Sequence, residues 1–311
     1  MKIFYLLLVC FLFSCVRNAP LTDVTLRQAI EDWHSSDIEQ KQKVILLYGP
    51  ISEWDVSGVK NMENLFKDRV FFNSDISNWD VSSVVNMTGM FHGAHTFNQD
   101  LSKWNTSSLR TAKNFFCRAS SFNSDLSGWD VSRVVVMENM FNSAVNFNSD
   151  VSLWDVSSVV NMSGMFENTI YFDADLSGWN VSRVTNMSRM FSSAFSFSSD
   201  LSLWNVSSVL DMSYLFHSSI AFNSDITRWN VSSVSNMSSM FHDALSFNRD
   251  ISKWDVNSIK YADSMFYNAV SFDHDLQYWK LLNIRSCTCF SNQANSWKDP
   301  LYRPNLDQCS Y

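Results

Sequence analysis

Nine aspartates recur at 25-residue intervals, Asp75, Asp100, Asp125, Asp150, Asp175, Asp200, Asp225, Asp250 and Asp275, and no copy replaces them. A ladder of carboxylates could hold Ca²⁺, a hard cation that takes oxygen ligands. Each Asp could equally accept hydrogen bonds from amides of its own tight turn or its neighbour's, which would lower its pKa and let close carboxylates coexist. The glycine-rich loops of calcium-binding repeats are missing, with 7 Gly in 311 residues, and this favours the turn.

The histidines are His34, His92, His95, His217, His242 and His274. His217 and His242 stand one period apart and could share a metal or titrate together near about pH 6, although solvated helix residues are the plainer reading. No Ser–His–Asp set, phosphate-cradling glycine loop or isolated carboxylate pair stands out, so no catalytic, cofactor-binding or metal-ligating residue is expected and the chain reads as a non-enzyme.

The first 15 residues, MKIFYLLLVCFLFSC, place a Lys before an apolar run and read as a secretion signal over residues 1–19. The run is too short for a membrane span. Leu12-Phe13-Ser14-Cys15 also looks like a lipoprotein box with Cys15 as the lipidated residue. Beyond the signal lie Cys117, Cys287, Cys289 and Cys309, an even number suited to an oxidising compartment. A disulfide from Cys309 to Cys287 or Cys289 would clamp the C-terminal end, leaving Cys117 as a buried thiol. The Cys-Thr-Cys spacing is too tight for a zinc knuckle.

These residues sit on a wider metronome. Trp54, Trp79, Trp104, Trp129, Trp154, Trp179, Trp204, Trp229, Trp254 and Trp279 follow the same 25-residue period without insertion. A fixed period of this length marks stacked copies of one small unit, so a residue present in every copy does one structural job. A sugar-stacking platform is conceivable for the tryptophans, but one unbroken register between polar neighbours suits an inner ladder better. The net charge of −8 has a similar origin, because nine of the 31 acids stand in the Asp75 column and five more at Asp55, Asp80, Asp130, Asp155 and Asp255. Basic patches are absent, which argues against a nucleic-acid partner.

Within a unit, Val84, Met87, Met90, Phe91, Ala94 and Phe97 follow intervals of three or four and predict a short helix over Ser83–Ala94. The Asp or Asn after each Trp supplies an acceptor for its first turn. The stretch from Phe72 to Trp79 predicts a strand stacking in parallel on the next copy. The chain then divides into signal 1–19, helical N-terminal cap 20–50, repeats 51–284 and a disulfide-bearing C-terminal cap 285–311. This is an α/β solenoid of about nine to ten strand-turn-helix repeats.

The unit FNxDLSxWDVSSVxNMxxMFxxA closely resembles the 25-residue repeat of BspA-like surface proteins, the DUF285 or mycoplasma-type lipoprotein repeat, over residues 51 to about 280. LRQAIEDW and YGPISEWDVSGVKNMENLF resemble that family's lead-in. The resemblance implies a leucine-rich-repeat-like, right-handed stack that is secreted or surface-anchored and serves adhesion or interaction; it carries over no catalytic residue.

Function should then lie where copies differ. The position before each Trp varies, and Leu153, Leu203, Arg228, Lys253 and Tyr278 are the candidate partner-binding residues, mixing apolar anchors with cations. A drifting solvent face is the bland alternative. The expected protein is a monomer at the extracellular surface that binds a protein or cell-surface macromolecule, touching membrane only through a lipid anchor. A self-associating envelope or matrix component, or a calcium-stabilised solenoid, is the competing reading.

Overall fold

The structure is a computed structural model, and it describes residues 20–306. Among these residues the helices are α1 (Asp23–His34), α2 (Ile38–Tyr48) and two single 3-10 turns, Ile51–Glu53 and Pro300–Tyr302. Parallel bridges, each isolated, link Asn61, Asn86, Thr111, Val136, Asn161, Asn186, Asp211, Asn236, Tyr261 and Ser286 in sequence. Each bridge joins residues 25 apart, so ten turns of chain stack in constant register.

The helix expected over 83–94 and the strand expected over 72–79 are both absent, and the strand-turn-helix unit of an α/β solenoid is corrected to a run of tight turns. The amides show why. Met62, Asn64, Phe66 and Asp68 donate along the stack to Asn86, Thr88, Met90 and His92 of the next turn, at 2.6–2.8 Å. Leu65, Lys67 and Arg69 donate back to Met62, Asn64 and Phe66 of their own turn, at 3.1–3.3 Å. An α-helix would require all interior amides to reach four residues back. The alternation is made by left-handed residues, Asn64 and Asp68 at φ 57° and 56°. The same two positions stay left-handed in later turns, as at Gly89 and Gly93, Asn139 and Ser143, and Cys289 and Gln293. A left-handed residue every fourth position cannot lie in a right-handed helix. Consecutive turns of this kind still send an apolar side chain inward every three or four residues, so the periodicity resembles that of a helix.

One apolar cluster runs from Leu21 to Trp297. Phe66 and Phe72 stack within a turn at 3.8 Å, Phe66 meets Phe91 of the next turn at 5.5 Å, and Trp54 meets Trp79 at 6.3 Å. Such offset-stacked rings gain from geometry as well as from area.

α1 closes the first turn with Leu26, Ala29 and Ile30, all buried, behind a Thr22–Thr25 capping box. In the second turn the amides of Val85 and Asn86 donate to the Lys60 carbonyl below them. The first turn has no turn below it, and there the Asp23 carboxylate accepts from Lys60 and Asn61 at 2.8 and 3.1 Å. One side-chain oxygen thus replaces a missing backbone carbonyl.

At the other end the repeat outlasts its expected limit at residue 284. Ser286 still bridges Tyr261, and Ala262, Ser264, Phe266 and Asn268 still donate to Ser286, Thr288, Phe290 and Asn292. Ser291 stands one period after Phe266, where a ring would belong. Trp297 fills that space edge-on to Phe266 and Phe272 at 5.5 and 5.1 Å, and its indole nitrogen has no hydrogen-bond partner among the described residues.

Candidate functional site

Each of the ten column tryptophans both stacks on a neighbouring ring and donates its indole N–H to a backbone carbonyl. The indole N–H of Trp79 donates to the Ile51 carbonyl at 2.8 Å, Trp104 to Ile76 at 3.2 Å, Trp129 to Leu101 at 3.0 Å and Trp154 to Leu126 at 2.9 Å, each 28 residues back. Trp179, Trp204, Trp229, Trp254 and Trp279 continue the pattern to Val151, Leu176, Leu201, Ile226 and Ile251, while Trp54 uses the Gly49 carbonyl. All ten rings are 2–4% exposed, out of reach of a stacking sugar.

The Asp75 column closes its own turns. Asp75, Asp100, Asp125, Asp150, Asp175, Asp200, Asp225, Asp250 and Asp275 each accept through Oδ1 from the amide two residues on, at 2.8–3.0 Å. This is the Asx turn. The amides of Ser77, Ser102 and Ser177 hold the pKa values of Asp75, Asp100 and Asp175 below the usual carboxylate value. The hydroxyls of Ser152, Thr227 and Ser252, with their amides, do the same for Asp150, Asp225 and Asp250.

From Trp54 to Trp254 the residue after the Trp accepts from the amide two residues on whether charged, as Asp80 from Ser82 at 3.0 Å, or neutral, as Asn180 from Ser182 at 3.2 Å; Lys280 after Trp279 makes no such turn. A third Asx turn sits at the bridge, as Asn86 to Thr88 at 2.9 Å.

Sequence reasoning missed a fourth polar column. Asn98 donates its amide to Asn73 Oδ1 of the turn before, at 2.9 Å, and Asn123, Asn148, Asp173, Ser198, Asn248 and Asp273 repeat the step at 2.7–3.1 Å. The signal was available as an acceptor recurring after each Phe of the second phenylalanine column.

The row before each Trp is outward and irregular, as is a second row that carries Val85, Val135 and Leu210 at 39, 42 and 51% exposure. In the first row, Leu153, Leu203 and Tyr278 are 81, 80 and 78% exposed, and Arg228 and Lys253 are exposed beside them. Shallow hollows lie between turns on this face, one of about 290 Å³ lined in part by Asn78, Trp79 and Lys103, another of about 250 Å³ lined in part by Asp255 and Tyr278.

Cys287 is held in a disulfide, Cys289 is free and exposed, and Cys117 is buried with its thiol pushed up to about 11 by that burial. A thiol so raised is inert. Cys15 and Cys309 lie outside the described residues.

The histidine pair is in turns, not in a helix, and is half-buried. The His217 and His242 rings lie 4.8 Å apart, and His242 Nε2 stands 3.3 Å from Asp243 Oδ2. Burial first, and the neighbouring His242 second, hold His217 below the usual histidine pKa. Asp243 was missed because it belongs to a different column, at a left-handed position with φ 56°.

Among the described residues no helix is long and apolar enough to cross a membrane. No curated protein matches the chain. A family model described as "Mycoplasma protein of unknown function, DUF285" matches three overlapping stretches, residues 40–144, 114–217 and 197–303. Those matches run from within α2 to beyond the last turn, so the chain belongs to the DUF285 family of repeat proteins.

Proposed function

We propose that this chain is an exported, non-enzymatic scaffold that binds a protein or another cell-surface macromolecule through the irregular row Leu153, Leu203, Arg228, Lys253 and Tyr278. The observation that carries the reading is the exposure of Leu153, Leu203 and Tyr278, at 78–81%, in a molecule whose repeated side chains are otherwise committed to the stack. Tyr278 and Arg228 are of the residue types that most often anchor interfaces, and Leu153 and Leu203 add exposed apolar area beside them. The Asp75 column supports scaffold over calcium solenoid, since each Oδ1 already accepts an amide. Export rests on the apolar leader, with Cys15 as the acylated residue if the mature chain begins there.

The test is capture of ligands from a labelled native cell surface by immobilised mature chain, compared with the triple variant L153S/L203S/Y278S. Capture should fall to background while the melting temperature stays unchanged, because the three side chains bury almost nothing. Undiminished capture would sink the proposal. Self-association is the second reading favoured by the same apolar row, and sedimentation that shifts with concentration in the parent chain but not in the variant would select it.

A further inference from the structure

We propose that His217, His242 and Asp243 form a binding site for one divalent transition-metal ion of the zinc type, pinning two adjacent turns from outside. Their ligand atoms all lie within 4.8 Å of one another. In a tetrahedral site with metal–ligand bonds of about 2.0–2.1 Å, neighbouring ligand atoms stand about 3.3 Å apart. His242 Nε2 and Asp243 Oδ2 already have that spacing, 3.3 Å. The remaining separations, at most 4.8 Å, would close by a small turn of the half-buried His217 ring within its row when the ion binds.

The surroundings orient the donors. Asn268 Nδ2 donates to Asp243 Oδ1 at 2.7 Å, which fixes the carboxylate and leaves Oδ2 turned to the imidazole. This is the supporting hydrogen bond that metal-binding carboxylates ordinarily have. Tyr267 lies against His242 at 4.6 Å and Tyr214 against His217 at 5.5 Å, so the two imidazoles are held in a short row of rings. The nearby cation Arg189 pairs with Glu167 at 3.7 Å and covers the Tyr214 ring at 4.2 Å, which offsets its repulsion of a metal. Two imidazoles and one carboxylate suit Zn²⁺, Ni²⁺ or Cu²⁺ rather than Ca²⁺ or Mg²⁺, and three protein ligands leave a coordination position for water or for a donor from a partner. The column around the pair varies from turn to turn, with Cys117, Asn142, Glu167 and Ser192 in the turns before it, so the set is a local feature and not a by-product of the repeat.

Calorimetric titration of the chelator-treated full chain with ZnCl₂ tests this, alongside H217A, H242A, D243N, N268A and, as a control, H92A. The parent chain and H92A should bind one ion and melt at a higher temperature with zinc. H217A, H242A and D243N should lose both effects while melting as the parent does without metal, and N268A should bind about tenfold more weakly. Absence of a saturable site in the parent, or parental affinity in the three ligand variants, would overturn the proposal.

Discussion

Trp154 shows how one side chain joins two turns. Its ring stacks on that of Trp179 at 6.4 Å, and its N–H binds the Leu126 carbonyl at 2.9 Å. Trp154→Phe keeps a ring in the ladder but strands a buried carbonyl, so it should cost about 1–3 kcal/mol. Trp154→Ala also opens a cavity and should cost about 3–5 kcal/mol. Urea denaturation midpoints of the two variants would show that ordering; equal losses would mean that the ring adds nothing beyond its hydrogen bond, and an unchanged midpoint in Trp154→Phe would mean that the hydrogen bond contributes nothing.

The carboxylates set a pH dependence of definite sign. Asp75, Asp100, Asp150, Asp175, Asp225 and Asp250 have folded-state pKa values below 3.8, so their contribution is full above 3.8 and lost as pH falls through the depressed values. His34, His92 and His217, held below 6.5 mainly by burial, add a loss that begins as pH falls below 6.5. Glu167, raised by burial, works in the opposite direction. Melting temperature should therefore fall in two acid steps, the first below 6.5 and the second below 3.8, with D150N shrinking only the second.

At this scale the residues repeated in each copy were readable, because a column that never varies declares a shared environment. The His217–Asp243 pairing was not readable, because it joins two columns across two turns and only the folded register brings them together.

The repeating segment teaches a different lesson from the cap. Its spacing, Val84, Met87, Met90 and Phe91, is that of an amphipathic helix, yet half of its amides run along the stack. A partial clue lay in the left-handed positions: Asn64, Gly89, Asn114, Asn139 and Gly164 fill the first half of one column, but Arg189, Tyr214, Ser239, Ser264 and Cys289 fill the rest. The other column mixes Asp68, Gly93, Asn168, Asp243 and Asn268 with Arg118, Ser143, Ser193, Ser218 and Gln293, so the signal was diluted. Asn, Asp and Gly are the residues that tolerate this conformation. Gly164, at φ 60°, carries a further constraint, since an added Cβ would collide with Asn139 Oδ1 of the turn before. Gly164→Ala should cost about 1–2 kcal/mol through backbone strain and that collision; an unchanged denaturation midpoint would contradict the left-handed assignment.

The helical cap expected over 20–50 is met by α1 and α2, but the task of Asp23 was not readable, because its partners lie at Lys60 and Asn61. Asp23→Ala should strand both amides, cost about 1–3 kcal/mol, and speed hydrogen exchange there before the rest of the stack.

For the whole molecule, the period alone predicted that identical units stack, and the bridges from Asn61 to Ser286 show them stacked without slip. A stack of this kind contacts only its neighbours, so its stability is close to a sum of unit and interface contributions. The proposed binding row and the proposed metal cluster both lie where the repeat is broken. That placement stands or falls on the equivalence of the turns. The direct measurement is denaturation of two excision variants, one lacking residues 175–199, a complete 25-residue unit, and one lacking 175–198. The complete excision should unfold in one cooperative transition at a modestly lower midpoint, with Trp154 now stacked on Trp204. The shorter excision displaces every later column by one residue and should lose cooperative folding; equal behaviour of the two variants would contradict the account.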